Sequence, residues 1–151
     1  MKHSRTNVFA TVVLLRLVAW GIPLSAQAQP NCSNATLNGS FGYTNTGTIL
    51  AGPEAGPFGG VGRQTFDGKG NTEATSTVSV NGAISHATIK GTYVVNSNCT
   101  GSMTLLVSAG AETFTNHVDL VIVRGGTEIR AINADPGIVL TTVAKKQSRG
   151  D

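Results

Sequence analysis

Apolar and polar residues alternate along most of this chain, and the alternation is clearest near its middle. In the segment 89–95 the odd-numbered side chains, Tyr93 among them, point to one side of a strand and the even-numbered ones to the other. A period of two residues is typical of a strand with one buried face. The segment 96–98 turns the chain, and Cys99 begins a second alternating run that includes Met103. The middle of the chain is therefore predicted to form a β-hairpin.

Further alternating segments, separated by short turns, lie on both sides of this hairpin. Asn81-Gly82 is the strongest short signal for a tight hairpin turn, and Asp67 to Asn71 and Asp135 to Gly137 are typical of turns as well. The segment 51–57 contains two prolines and is predicted to be the most irregular loop. We predict strands at 37–44, 58–66, 72–80, 84–95, 99–108, 113–123, 127–133 and 138–144.

The pattern predicts an all-β fold, an eight-stranded antiparallel up-and-down barrel, with a β-sandwich as the alternative. No segment has a helical period of useful length. The second strand contains Gly59, Gly60 and Gly62, and glycines inside a strand often mark a bend, a bulge or a close backbone approach. Such bends favour a barrel, because closure requires them and removes the free edges. The last strand is apolar on both faces, which predicts that it is covered on both sides or pairs with a second copy of the chain in a homo-oligomer.

The alternation also predicts which side chains point into the barrel. The predicted lumen contains amides and phenols but neither a histidine nor a carboxylate, and His86, His117 and Asp119 fall on the outer face. The predicted inward residues are Leu37, Phe41, Tyr43, Phe58, Gln64, Phe66, Val78, Ile89, Tyr93, Met103, Leu105, Phe114, Asn116, Val118, Leu120 and Ile129.

The first residues are typical of a secretory signal peptide. A basic start is followed by the apolar run 8–24 and by small residues up to Ala28. We predict a signal peptide at 1–28, a single barrel domain at 29–146 and a disordered tail at 147–151, with fraying from Lys145 onward. A retained membrane anchor is the alternative, but the run is shorter than the ~20 residues that cross a bilayer, and Arg16 interrupts it. The mature protein is therefore predicted to be secreted or periplasmic, without stable membrane insertion.

Removal of the signal peptide changes the charge balance. The full chain has 11 basic and 8 acidic residues, but three of the basic ones lie in the signal. The mature chain is then neutral, with no basic face for nucleic acid, and this class of partner is excluded. Its two cysteines, Cys32 and Cys99, predict one disulfide in an exported protein. Two free thiols or a thiol nucleophile are the alternatives, although no histidine lies near either cysteine in sequence.

Candidate catalytic groups are few. Glu112, at the start of its strand, is the best single candidate for a carboxylate in the barrel mouth, and Glu54 in the irregular loop is the next. Both are also typical of solvated carboxylates on a rim. His117 and Asp119 share a strand face, but two ligands do not make a metal site, so we predict no metal and no cofactor.

Two arginines on the predicted strands allow a different kind of site. Arg63 and Arg130 are candidates for binding an acidic ligand. Such residues are more often strand-face cations that pair with acidic neighbours, here Glu73 or Glu128.

Four phrases resemble those of small exported bacterial proteins of unknown role. They are LNGSFGY from Leu37, VGRQTFDGKGN from Val61, GTYVVNSNCTG from Gly91 and GGTEIRAINADPG from Gly125. That group is similar in turn to the allene oxide cyclase-like barrels, relatives in shape of the calycins, and this similarity implies a fold only. The chain departs from the lipocalin Gly-x-Trp pattern at Gly39-Ser40-Phe41, and no catalytic residue of the cyclases is carried over.

Three functions fit this sequence. The first is a binding protein whose lumen holds a small hydrophobic molecule, oriented by Tyr43, Gln64, Tyr93 and Asn116. The second is a cyclase- or isomerase-like enzyme that acts by shape and hydrogen bonding. The third is a structural envelope protein whose barrel is filled by its own side chains.

Overall fold

Eight antiparallel strands, each paired with the next and the last with the first, close into a barrel in the computed structural model, which describes residues 31–148. The predicted up-and-down barrel is confirmed, and the sandwich is not formed. The predicted signal peptide 1–28 lies outside the described residues, as do residues 149–151 of the predicted tail. The strands are β1 (Asn38–Ile49), β2 (Gly56–Asp67), β3 (Asn71–Val80), β4 (Ala83–Val95), β5 (Thr100–Ala109), β6 (Glu112–Val123), β7 (Glu128–Asn133) and β8 (Ile138–Lys146).

The turns follow from local sequence chemistry. Asn81 and Gly82 both have positive φ, 48° and 91°, as the tight hairpin between β3 and β4 requires. Between β2 and β3, Oδ1 of Asp67 accepts hydrogen bonds from the backbone N–H groups of Lys69 (2.7 Å) and Asn71 (2.9 Å). These bonds satisfy donors that the ladder leaves free, so the carboxylate holds the turn closed.

Some strands are longer than predicted. The irregular loop ends at residue 55, and β2 includes Pro57, which pairs with Thr48 of β1. The carbonyl oxygen of Pro57 accepts a hydrogen bond from Asn81 N–H in the next turn, beyond the last β2–β3 pair at Phe58 and Val80. Because β3 has ended at this point, the absence of an N–H on proline removes no hydrogen bond from the β2–β3 ladder.

The expectation that the chain frays from Lys145 is wrong. β8 continues to Lys146, which pairs with Phe41 of β1, and the N–H of Gln147 donates to the carbonyl oxygen of Ser40 at 2.8 Å. The β1–β8 pairing that closes the barrel supplies these residues with hydrogen-bond partners, which a free chain end lacks.

One end of the barrel is filled by large apolar side chains. The ring of Phe66 meets those of Phe41 and Tyr93 edge to face, with centroids 5.4 Å and 5.1 Å apart. A short 3₁₀ turn, Asn34–Thr36, covers this end, and Leu37, which follows it, is completely buried. We call this half of the molecule the closed end.

The disulfide between Cys32 and Cys99 is formed, with Cα atoms 5.0 Å apart. It joins the segment before β1 to the β4–β5 turn, as expected, and so fastens the covering segment to the closed end. The N–H of Cys32 also donates to the carbonyl oxygen of Ser97.

The predicted inward set is confirmed in full. Each of these side chains is either buried in the core or lines the cavity described below. Among residues 31–148 no helix has the length and apolar character to cross a membrane.

Candidate functional site

The end opposite the disulfide contains a cavity that opens to solvent. Its mouth lies among the β1–β2, β3–β4, β5–β6 and β7–β8 connections. The cavity has a volume of about 560 Å³, and a narrower space of about 80 Å³ continues it toward the middle of the barrel. This size lies within the range of roughly 300–1,000 Å³ that is common for small-molecule sites. We call this half of the molecule the open end.

The wall of the open end is mostly apolar. Phe114 is 45% exposed although its side chain points inward, because it stands at the mouth. An aromatic side chain left uncovered in a cavity offers a large apolar contact surface to a ligand. The apolar wall residues are Ile49, Phe58, Val78, Val80, Ile89, Val107, Phe114, Ile138 and Leu140.

Small inward residues create this space. Along β3, β4 and β5 the inward positions of the open end include Ser76, Ser85, Ala87 and Ala109. The closed end has phenylalanine, tyrosine and leucine at equivalent inward positions, and there the side chains meet in the middle. The short side chains of the open end do not reach across, so the lumen stays unfilled.

The inner part of the cavity has several polar side chains set among apolar ones such as Met103 and Leu105. Asn45 and Asn116 line both the wide and the narrow space. Four more polar residues line the narrow space: Tyr43, Gln64, Asn133 and Thr142. We call these four residues and the two asparagines the amide floor.

Two glycines of β2 make room for this floor. A side chain at Gly60 would collide with Oδ1 of Asn45, and one at Gly62 would collide with the phenol of Tyr43. Of the three strand-interior glycines predicted to mark a bend, bulge or close approach, Gly60 and Gly62 are therefore sites of close approach, in which β1 side chains lie over the β2 backbone. A side chain at Gly59 would meet no atom within 4 Å.

Asn45 differs from Gln64 and Asn133 in its hydrogen bonding. Nε2 of Gln64 donates to Thr72 Oγ1 at 3.0 Å, and Oδ1 of Asn133 accepts from the N–H of Asp135 at 2.8 Å. Oδ1 of Asn45 is buried and has no hydrogen-bond partner, the single such side-chain atom within residues 31–148. An unpaired buried acceptor costs about 1–3 kcal/mol.

Tyr43 contributes a neutral phenol to the floor. Burial raises the pKa of this phenol, and a hydrogen bond with the Ser76 side chain offsets part of the rise. The hydroxyl therefore keeps its proton at neutral pH and can act as a donor.

Tyr93 does not line the cavity. Its hydroxyl lies at the closed end and donates to the carbonyl oxygens of Leu37 (2.9 Å) and Asn34 (3.1 Å). Of the four residues expected to orient a ligand, the structure brings together Tyr43, Gln64 and Asn116. Asn45, which the sequence analysis missed, lies with them.

The rim of the mouth is acidic. Glu54 and Glu112 are both exposed and both line the cavity, and no basic residue of the described chain does so. Glu112 thus stands at the barrel mouth, where its strand position predicted it.

The outer-face candidates lie away from the cavity. The partner of His117 is Asp135 in the β7–β8 turn rather than Asp119: Nδ1 of His117 is 2.7 Å from Oδ1 of Asp135. Within residues 31–148 no group of three or more histidine, cysteine or carboxylate residues is placed to hold a metal. His86 lies on the outer surface of β4, beside Thr77 Oγ1.

The two arginines have different partners. Nη2 of Arg130 is 2.8 Å from Oε1 of Glu128, as expected, and Arg124 contacts the other carboxylate oxygen. The hydrogen bond from Arg130 is the main reason that the pKa of Glu128 is lowered. Arg63 instead donates to Oγ of Ser40 at 2.8 Å.

No protein-family model, no curated protein and no solved structure matches this chain. The similarity to the allene oxide cyclase-like barrels stays a prediction.

Proposed function

We propose that this chain is an exported binding protein that holds one small, largely apolar molecule in the open end of its barrel. The observation that carries the proposal is the cavity of about 560 Å³, with an apolar wall, several polar side chains at its floor and an opening on one side. A few convergent polar groups inside an apolar pocket are typical of sites that bind and orient a small molecule.

The energetics support an apolar occupant. Each Å² of apolar surface removed from water contributes about 25 cal/mol. An occupant would cover its own surface and also wall residues such as Phe114 and Val78, which the protein itself leaves partly uncovered.

The alternatives have less support. A filled structural barrel needs side chains that meet in the lumen, as at the closed end, whereas Ser85, Ala87 and Ala109 leave the open end empty. An enzyme needs an acid or base within reach of the reacting atoms. Glu54 and Glu112 stand at the solvent-exposed rim rather than beside the amide floor.

Two features support export. Disulfides persist mainly in oxidising compartments, and Cys32 and Cys99 are bonded. The N-terminal segment has the composition of a signal peptide.

A fluorescent apolar probe tests the proposal. N-phenyl-1-naphthylamine is titrated into the mature protein and into two variants, Ser85→Trp and Ile84→Trp. Ser85 lines the cavity, whereas Ile84, its neighbour in β4, is 65% exposed on the outer face. We expect saturable binding to the wild type, a loss of at least about tenfold in affinity for Ser85→Trp because the indole fills the mouth, and no change for Ile84→Trp.

Two results would overturn the proposal. One is the absence of saturable binding to the folded wild type, and the other is equal binding by both tryptophan variants. Native mass spectrometry of the protein from its exported fraction, before and after denaturation, gives the mass of any natural occupant.

A further inference from the structure

We infer that the ligand carries an uncharged group that both donates and accepts a hydrogen bond, a hydroxyl or a carboxamide, and that this group binds the amide floor at Asn45 while the apolar remainder extends toward the mouth. The inference rests on the proposed function and adds the chemical class and the orientation of the ligand.

The unpaired amide of Asn45 is the first argument. Its Oδ1 has no partner in the protein, and the residue lines both parts of the cavity. Oδ1 itself lies against the backbone of Gly60. The terminal torsion of asparagine is broad, so rotation of the amide turns either the oxygen or the nitrogen toward the cavity. A purely apolar ligand would cover this amide and leave it unpaired, whereas a hydroxyl or carboxamide pairs with whichever atom it meets.

The remaining floor residues support the same chemistry. Asn116 and Asn133 supply amides, and Tyr43 and Thr142 supply hydroxyls beside the same narrow space. Each of these groups is neutral and can both donate and accept. A ligand group that can do both has a partner in every orientation.

Charge is the second argument. Among the described lining residues the charged ones are Glu54 and Glu112, both at the rim. An ionised carboxylate on the floor would lose its hydration without gaining a cation, and an ammonium would gain no anion there. Such desolvation strongly disfavours both ions. The floor therefore selects against charged head groups, and the acidic rim repels anions before they enter.

The depth of the cavity sets the length of the ligand. Asn45 and Ile49 both point inward, and Ile49 stands at the rim. Four residues of strand span about 13 Å, which is roughly 10 Å along the axis of a barrel with tilted strands. An extended chain of about eight carbons has this length, so eight-carbon compounds are suitable probes.

Displacement of N-phenyl-1-naphthylamine by four eight-carbon compounds tests the inference. The compounds are 1-octanol, octanamide, 1-chlorooctane and octanoate, and the proteins are the wild type, Asn45→Leu and Thr46→Leu. Thr46 is the exposed outward neighbour of Asn45. In the wild type and in Thr46→Leu we expect 1-octanol and octanamide to bind about fivefold to tenfold more tightly than 1-chlorooctane. This is the affinity difference that one hydrogen bond typically contributes. Octanoate should bind most weakly.

In Asn45→Leu the preference should reverse, because 1-chlorooctane is the more apolar compound and the floor no longer offers the amide. Asn45→Ala removes the amide without adding volume and should also lose the preference for 1-octanol and octanamide. It provides the test if the leucine variant does not fold.

The inference is overturned if 1-chlorooctane or octanoate binds the wild type as tightly as 1-octanol. It is also overturned if the preference persists in both Asn45 variants. These results leave probe binding itself intact, so they differ from a failure of the proposed function, in which the probe does not bind the wild type at all.

Discussion

The closed and open ends of this barrel have the same strands and the same alternation but opposite interiors. At the closed end the rings of Phe41, Phe66 and Tyr93 pack edge to face in the middle of the barrel. At the open end the inward positions include Ala87 and Ala109, and a cavity of about 560 Å³ remains. The size of the inward side chain, rather than the fold, decides which half is core and which half is a site.

Hydrogen bonding divides the two ends in the same way. At the closed end Oδ1 of Asn34 accepts from the N–H of Val95 at 2.8 Å, and the Tyr93 hydroxyl donates to two carbonyl oxygens. At the open end the buried Oδ1 of Asn45 has no partner in the protein. These polar groups of the closed end are thus paired within the protein, whereas the Asn45 oxygen is not.

The largest expected effect comes from truncating one aromatic residue at each end. Phe66→Ala should lower the free energy of unfolding by about 3–5 kcal/mol, because it leaves a cavity in a packed core. Phe114→Ala should lower it by about 1 kcal/mol or less, because this side chain is already 45% exposed. Urea unfolding measures both values.

Probe binding should respond in the reverse order. Phe114→Ala is expected to weaken binding of N-phenyl-1-naphthylamine, and folded Phe66→Ala is expected to retain it. Equal losses of stability in the two variants would show that the ends are not separate.

Removal of the disulfide is the next largest change. The bonded cysteines are 67 residues apart, and a crosslink over such a distance stabilises by about 4 kcal/mol in the chain-closure description, with 2–4 kcal/mol typical. The double variant Cys32→Ser, Cys99→Ser should lower the free energy of unfolding, measured in urea, by about 2–4 kcal/mol. The affinity for the probe should stay unchanged, because the cavity lies at the opposite end. A variant that loses probe binding while still folded would contradict the separation.

The smallest expected effect is on the stability of the protein at acidic pH. The hydrogen bonds from the side chain and N–H of Asn71 and from the N–H of Lys69 lower the pKa of Asp67 to about 2. The unfolded chain, with a carboxyl pKa of about 3.9, binds the proton first as the pH falls. The stabilisation by Asp67 is therefore complete above about pH 4 and is lost between about pH 4 and pH 2.

Asp67→Asn should flatten the dependence of unfolding free energy on pH in that range. Urea unfolding at several pH values between 2 and 5 compares the variant with the wild type. Part of the slope should remain in the variant, because the pKa values of Glu128 and Asp135 are also lowered. Identical slopes would show that the Asp67 bonds do not form in solution.

The alternation of residues predicted the fold because a period of two is a direct consequence of strand geometry. Strand ends were less predictable. Pro57 is tolerated within β2 because β3, the neighbour on one side, has already ended while β1 continues on the other. Lys146 stays in β8 because it pairs with Phe41. Both reasons concern neighbours that are distant in sequence.

The site was predictable in part for the same physical reason. Alternation determines the face on which a side chain lies but not its height along the barrel axis, which depends on the stagger of all strands. Tyr93 and Tyr43 are both inward, yet one is at the closed end and the other at the amide floor. Asn45 was missed because the predicted first strand ended at Thr44; continuing the alternation by one step would have placed it inward.

The pairing of β1 with β8 extends from Phe41 opposite Lys146 to Ile49 opposite Ile138. A ring of strands has no first member, so a linker that joins residue 148 to residue 31 would leave every ladder intact if the chain were opened between Asn81 and Gly82. Chain openings at exposed turns are the ones that proteins tolerate best. Such a circular permutant would carry both new termini at the rim of the cavity, so a reporter fused there would stand beside the site of the proposed binding.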